Sequence, residues 1–185
     1  MDKVVILDRD GVVNENVYHP HHLKNNNTGY GSPFRPEDFK IIKGVPAAIN
    51  CLREKGYRIF VASNQPTVAQ GQHTVDSLYA MNEIMRKELG IPPENVFYCM
   101  HDIKSTCECR KPRPGLLLEA AKRHGFNIKD AVMIGDGWKD IAAGKAAGCR
   151  MTIYIGSKQG VIELVENQAI ADARCASLEE AVRVI

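Results

Sequence analysis

The chain has 185 residues, with 24 Lys and Arg against 22 Asp and Glu for a formal net charge of +2. That length suits one domain with a full core, and 44% hydrophobic with 25% charged content is usual for a soluble globular protein. The near-even charge gives no electrostatic case for nucleic acid or an anionic membrane. No apolar run approaches a membrane span, and the N-terminus lacks a signal peptide. The expected location is therefore the cytoplasm, where the six cysteines stay out of disulfides.

In chain order, Val4-Val5-Ile6-Leu7 reads as a strand buried on both faces, running into Asp8-Arg9-Asp10-Gly11. Side chains repeat every second residue in extended chain, so Asp8 and Asp10 point the same way, roughly 6–7 Å apart. Two such acids repel unless a proton or cation intervenes, and carboxylate and carbonyl oxygens suit magnesium. A surface turn is the plainer alternative for the same residues. Residues 15–38 are polar, with His19-Pro20-His21-His22 and Asn25-Asn26-Asn27, and lack periodicity. They read as a long loop placed to cover a substrate; its three histidines offer metal ligands, but in such a loop a solvated or adventitious role is the plainer expectation.

Helical spacing follows at Pro46–Lys55, ending at Gly56, then a strand at Arg58–Ala62 leading into Ser63-Asn64-Gln65. Thr74–Leu89 has Val75, Leu78, Met81, Met85 and Leu89 near one helical face. Asn95–Cys99 reads as a strand, Gly115–His124 as a helix and Ala131–Ile134 as a strand that ends in Gly135-Asp136-Gly137. Helix Ile141–Ala147, strand Arg150–Ile155 and helix Leu178–Val184 complete the alternation. The pattern predicts an α/β fold, a Rossmann-like three-layer sandwich around a central, mainly parallel sheet, with no room for a large cap domain. Residues 1–185 are expected to form a single domain.

The polar clusters fall at the ends of those strands. Asp8 and Asp10, Ser63 and Asn64, Arg110 and Lys111, and Asp136 and Asp140 each follow a strand or open the next helix. Such ends converge on one rim of a parallel sheet. Acids for a cation, a hydroxyl and a lysine together suit the handling of a phosphoryl group.

DRDG, SNQ, the lysine of RKPRPG and GDGWKD, in that order, resemble the four signature motifs of the haloacid dehalogenase-like hydrolases. The resemblance covers nearly the whole chain. It implies a magnesium-dependent phosphatase working through an aspartyl-phosphate: Asp8 as nucleophile, Asp10 as general acid and base, Ser63 and Lys111 holding the phosphoryl oxygens. It also implies magnesium on Asp8, Asp136 and the backbone carbonyl of Asp10, with Asp140 orienting the Asp136 motif or Lys111. A non-catalytic binding module of the same fold would be expected to lose one of the leading aspartates, and both are present.

Cys99, His101, Cys107 and Cys109 offer three thiolates and one imidazole, the donor set of a closed structural zinc site. Zinc there would fold the loop 99–109 and present Arg110 and Lys111. A redox pair or unrelated buried thiols is the alternative. Cys51, Cys149 and Cys175 read as small hydrophobes.

This zinc pattern before RKP, with DRDG and NQ, is similar to the branch holding D,D-heptose 1,7-bisphosphate phosphatases and histidinol-phosphate phosphatases. With no large cap domain, the substrate is expected to be a small phosphorylated metabolite, which the branch implies is contacted by Asn64, Gln65 and Arg110. The chain is expected to be a monomer, without nucleic-acid or membrane partners. Heptose bisphosphate, losing its 7-phosphate, leads. Histidinol phosphate is the alternative and calls for a spare acid, Glu15 or Glu37. A polynucleotide end phosphatase would need a basic groove. Residues 66–71 and Gly137 depart from the usual heptose-enzyme pattern, and the five-residue spacer between His101 and Cys107 is nearer the histidinol form.

Overall fold

The computed structural model describes residues 2–20, 29–156 and 158–185, and of 158–161 the backbone alone. His21, His22 and the asparagine run lie outside the described residues. The central sheet has the order β5-β4-β1-β6-β7-β8. Its strands are β1 (Val4–Leu7), β4 (Arg58–Asn64), β5 (Val96–Cys99), β6 (Ala131–Gly135), β7 (Met151–Ile155) and β8 (Ala173–Cys175). Every pairing is parallel, and β1 lies between β4 and β6 with Val4 opposite both Arg58 and Ala131. The chain therefore winds outward from β1 in one direction and then in the other. The crevice at that reversal, beyond the carboxyl ends, is where such sheets bind ligands.

Alternation along β1 builds the layers. Val5 and Leu7 pack with α1 (Val45–Glu54), α3 (Val75–Leu89) and α7 (Leu178–Val184) through Ile49, Leu52, Met81, Met85 and Val182. Val4 and Ile6 face the other way, onto Leu116, Leu117 and Ala120 of α4 (Gly115–His124) and Ala143 and Ala147 of α5 (Trp138–Ala147). All four β1 residues are fully buried, which is why the strand reads as an unbroken apolar run. α3 is opened by Thr74, whose hydroxyl accepts the Ser77 N–H at 3.1 Å, and closed by left-handed Gly90.

The helices and strands read from periodicity appear within a residue or two, except that α5 begins at Trp138 rather than Ile141. The pattern did not reveal α2 (Pro66–Ala69), α6 (Lys158–Glu166) or β8. Nor is 15–38 wholly irregular. β2 (Val17–Tyr18) and β3 (Tyr30–Gly31) pair antiparallel and a 3-10 turn spans Pro36–Asp38. Two-residue strands are too short to carry a period. Among the described residues no helix is long and apolar enough to cross a membrane, and no large cap domain interrupts the sheet.

Candidate active site

Asp8 follows β1 directly, and its N–H still donates to Ile134 O at 2.9 Å, keeping it in step with β6. Ser63 belongs to β4, Lys111 to the loop after β5, and Asp136 and Asp140 to the turn and helix after β6. With Asp10, Asn64 and Arg110 they border one open cavity of about 380 Å³. Eight residues chosen from four separate motifs thus share one rim.

Lys111 is 1% exposed and lies among anions. Its Nζ is 2.9 Å from Asp8 Oδ1 and 2.5 Å from Asp140 Oδ1, and donates to Ala62 O at 2.6 Å. Burial works against its charge, yet Asp140 and Asp8 hold the ammonium above its usual value. Asp140 Oδ2 accepts the Gly137 N–H at 3.0 Å, so one carboxylate both caps α5 and holds Lys111.

Asp8 and Asp136 are short of cation. Burial first, then Asp140, push Asp8 up to about 7 against the pull of Lys111. Burial, Asp8 and Asp140 likewise push Asp136 well above the usual carboxylate range. Oxygens of Asp8, Asp136 and Asp140 lie within 4.8 Å of one another, and Asp140 already serves Lys111. Gly11, at φ +81°, lets the chain close in here: a Cβ on it would sit 1.8 Å from Asp136 Oδ2. This all-oxygen, under-neutralised pair fits a hard divalent cation.

Asp10 is handled differently. Its Oδ1 accepts from Arg9 Nε (3.2 Å), Arg9 Nη2 (2.9 Å) and Asn14 Nδ2 (3.0 Å). Its Oδ2 accepts from Arg9 Nη2 (3.1 Å), Ser32 Oγ (2.8 Å) and Gln65 Nε2 (2.7 Å). Burial would raise this carboxyl, but Arg9, Asn14 and Ser32 carry it below its ordinary value. What separates the two leading acids is thus in part the arginine between them, a residue that sequence reasoning passed over. Gln65 also needs correction as a substrate contact. It is fully buried, does not border the cavity, and spends its amide on Asp10 and on Ser63 Oγ at 2.9 Å. A side chain at a strand end turns inward as readily as outward, and here the inward polar cluster claims it.

Part of the cavity wall comes from the 15–38 segment, of which Asn16, Gly31 and Ser32 border the cavity. His19 in that segment accepts no solvated reading: it is half-buried, stacked on Phe34 at 4.0 Å, with Nε2 2.8 Å from Ser32 O. Arg110, Trp138, Lys139 and Glu163 also border the cavity, of which the sequence singled out only Arg110. Glu15 and Glu37 are not on the wall.

Beyond Lys111 the four zinc candidates meet. Cys99 Sγ is 3.4 Å from His101 Nδ1 and 3.6 Å from Cys107 Sγ, and His101 Nδ1 is 3.2 Å from Cys109 Sγ. Ligands at zinc–sulfur and zinc–nitrogen bond lengths around a tetrahedron lie about 3.5–3.8 Å apart, so the cluster has the right size. Burial and its neighbours Cys99 and Cys107 push Cys109 up to about 12, a crowding of thiols that a dication would relieve.

With this geometry in place, comparison with known proteins is decisive. A family model described as haloacid dehalogenase-like hydrolase matches residues 29–148, over half of the chain, including the strand ends that carry Ser63, Lys111 and Asp136. The chain is a haloacid dehalogenase-like hydrolase. Its curated relatives in the family include the D-glycero-beta-D-manno-heptose-1,7-bisphosphate 7-phosphatase of Helicobacter pylori, 32% identical over 83% of both chains. Another is the D-glycero-alpha-D-manno-heptose-1,7-bisphosphate 7-phosphatase of Photorhabdus laumondii, 28% identical over 92% of this chain and 91% of that one. The crystal structure of D,D-heptose 1,7-bisphosphate phosphatase from B. bronchiseptica, complexed with magnesium and phosphate, superposes with a TM-score of 0.82. It is 26% identical and covers 98% of this chain and 97% of its own.

Proposed function

We propose that this hydrolase removes the 7-phosphate of D-glycero-D-manno-heptose 1,7-bisphosphate in the cytoplasm. The observation that carries the choice is a cavity with cations at two places. Lys111 serves the acid end, while Arg110 and Lys139 stand together on the wall. Burial and Arg110 hold the Lys139 ammonium below its ordinary value. Among the described residues neither Arg110 nor Lys139 is in an ion pair. Two neighbouring cations outside any direct ion pair suit the phosphate that stays on the sugar. Lys139 would thereby supply the charge that Gly137 lacks.

In the reaction, Asp8 attacks phosphorus as the bond from phosphorus to the leaving oxygen breaks, and Asp10, in its protonated form, delivers its proton to that oxygen. Asp10 then takes a proton from the water that releases phosphate from Asp8. Ser63 and Lys111 steady the transferring oxygens, and Asn64 holds Lys111 in place. Magnesium on Asp8, Asp136 and the carbonyl of Asp10 would supply charge for the phosphoryl oxygens. Zinc on Cys99, His101, Cys107 and Cys109 would hold the 99–109 loop, and 15–38 would form the facing wall. The acids foreseen for the amine of histidinol phosphate, Glu15 and Glu37, stand off the wall, and Glu163 is the acid that borders the cavity there.

The test is phosphate release from both anomers of the heptose bisphosphate and from histidinol phosphate, with magnesium, and phosphorus NMR to report which phosphate leaves. Turnover of a heptose bisphosphate at C7 is expected. A preference for histidinol phosphate would replace this reading.

A further inference from the structure

Resting on that reading, we infer that Arg9, braced by Asn82 of α3, is a positioning residue that aims Asp10 during proton transfer. Arg9 is fully buried, its guanidinium over the Phe39 ring at 5.6 Å. Three of its N–H contacts go to the two oxygens of Asp10, at 2.9 to 3.2 Å. The remaining nitrogen, Nη1, donates to Asn82 Oδ1 at 3.0 Å across 73 positions of sequence. Asn82 is itself 5% exposed. A guanidinium only donates, so the amide must turn its oxygen toward Arg9.

Fold stability is a poor reason for this arrangement. Burying a guanidinium is costly, and apolar residues of similar volume often replace a buried ion pair without loss. Orientation is a better one. A planar fork on both carboxylate oxygens sets the plane of that carboxylate. Held at Asp10 alone, the fork could pivot about its own stem; the Asn82 oxygen at the far side stops it. In the step concerned, the Asp8–phosphorus bond forms as the bond from phosphorus to the leaving oxygen breaks, and the Asp10 proton goes to that oxygen. Misplacing the donor slows this transfer more than it slows phosphoryl attack.

The leaving group separates the two effects. Nitrophenolate departs without a proton, whereas an alkoxide needs one, and a positioned general acid contributes about 10²–10⁴-fold. We would measure kcat/KM for 4-nitrophenyl phosphate and 2-phenylethyl phosphate in wild type, Asn82→Leu, Asn82→Asp and Arg9→Lys. The expected result is that Asn82→Leu and Arg9→Lys lose at least about tenfold more on the alkyl ester, part of the general-acid contribution. Asn82→Asp, which keeps an acceptor for Arg9, restores the alkyl rate. Equal loss on both esters, or no loss, overturns the assignment. Should Asn82→Leu not fold, Arg9→Lys carries the comparison, because it keeps the buried charge and loses only the fork. Wild-type inactivity on heptose bisphosphate alongside activity on both test esters would sink the substrate reading and leave this one standing.

Discussion

The side-chain amide of Asn64 grips the backbone of Lys111 from both sides, donating to its carbonyl at 2.9 Å and accepting its N–H at 3.0 Å. One residue at the end of β4 thereby holds the loop after β5 at the point where its lysine enters the site. Asn64→Leu keeps the bulk and orphans both backbone groups, at a cost of about 1–3 kcal/mol. A lower urea midpoint and reduced turnover are expected together; unchanged turnover would show that Lys111 keeps its place by other means.

Asp8 sits in a cluster whose charges oppose it, with burial and Asp140 pushing its carboxyl to about 7. Asp8→Asn removes the attacking oxygen and relieves that repulsion. Phosphate release should fall by about a thousandfold or more, while the metal-free protein melts no lower than wild type. Retained activity would refute the nucleophile assignment.

The Cys and His cluster makes a prediction about metal content. Purified protein should carry zinc in a one-to-one ratio, and stripping it with a chelator should speed amide exchange across residues 99–111 and lower turnover. Exchange confined to the base level elsewhere would localise the effect. Protein that is active and free of zinc would end this idea.

Asp172 ties α5 to β7: Oδ2 accepts the Thr152 N–H at 2.7 Å and its hydroxyl at 2.9 Å, and Oδ1 pairs with Lys145 at 2.5 Å. Burial would raise this carboxyl, but Lys145 and Thr152 hold it below 3.8. The folded chain binds this proton less readily than the unfolded one. The stabilisation is therefore complete above 3.8 and lost as pH falls through the depressed value. The gap in urea midpoint between wild type and Asp172→Asn should be open at about pH 7 and shrink toward pH 3. A gap independent of pH would contradict the ionic origin.

Legibility in the sequence followed physical range. β1 is readable because four consecutive apolar residues leave one interpretation, and the rim because parallel strands must end together. Arg9 is not readable. Between two acids it looks like a solvated charge, and only folding brings Asn82 to it. Gln65 and Ser32 fail for the same reason, since their roles depend on which way a side chain turns at Asp10. β8 is missed because Ala173–Cys175 offers three residues with an exposed arginine in the middle.

The placement of β1 between two parallel neighbours has a consequence for divergence. Asp8 follows a strand held in register on both flanks, whereas the 15–38 and 100–111 segments that border part of the cavity are outgrowths beyond the tips of β1 and β5. Lengthening or trimming those outgrowths disturbs no register. Such segments can accordingly change in length while the strand ends that carry Asp8, Ser63 and Asp136 stay in step with one another.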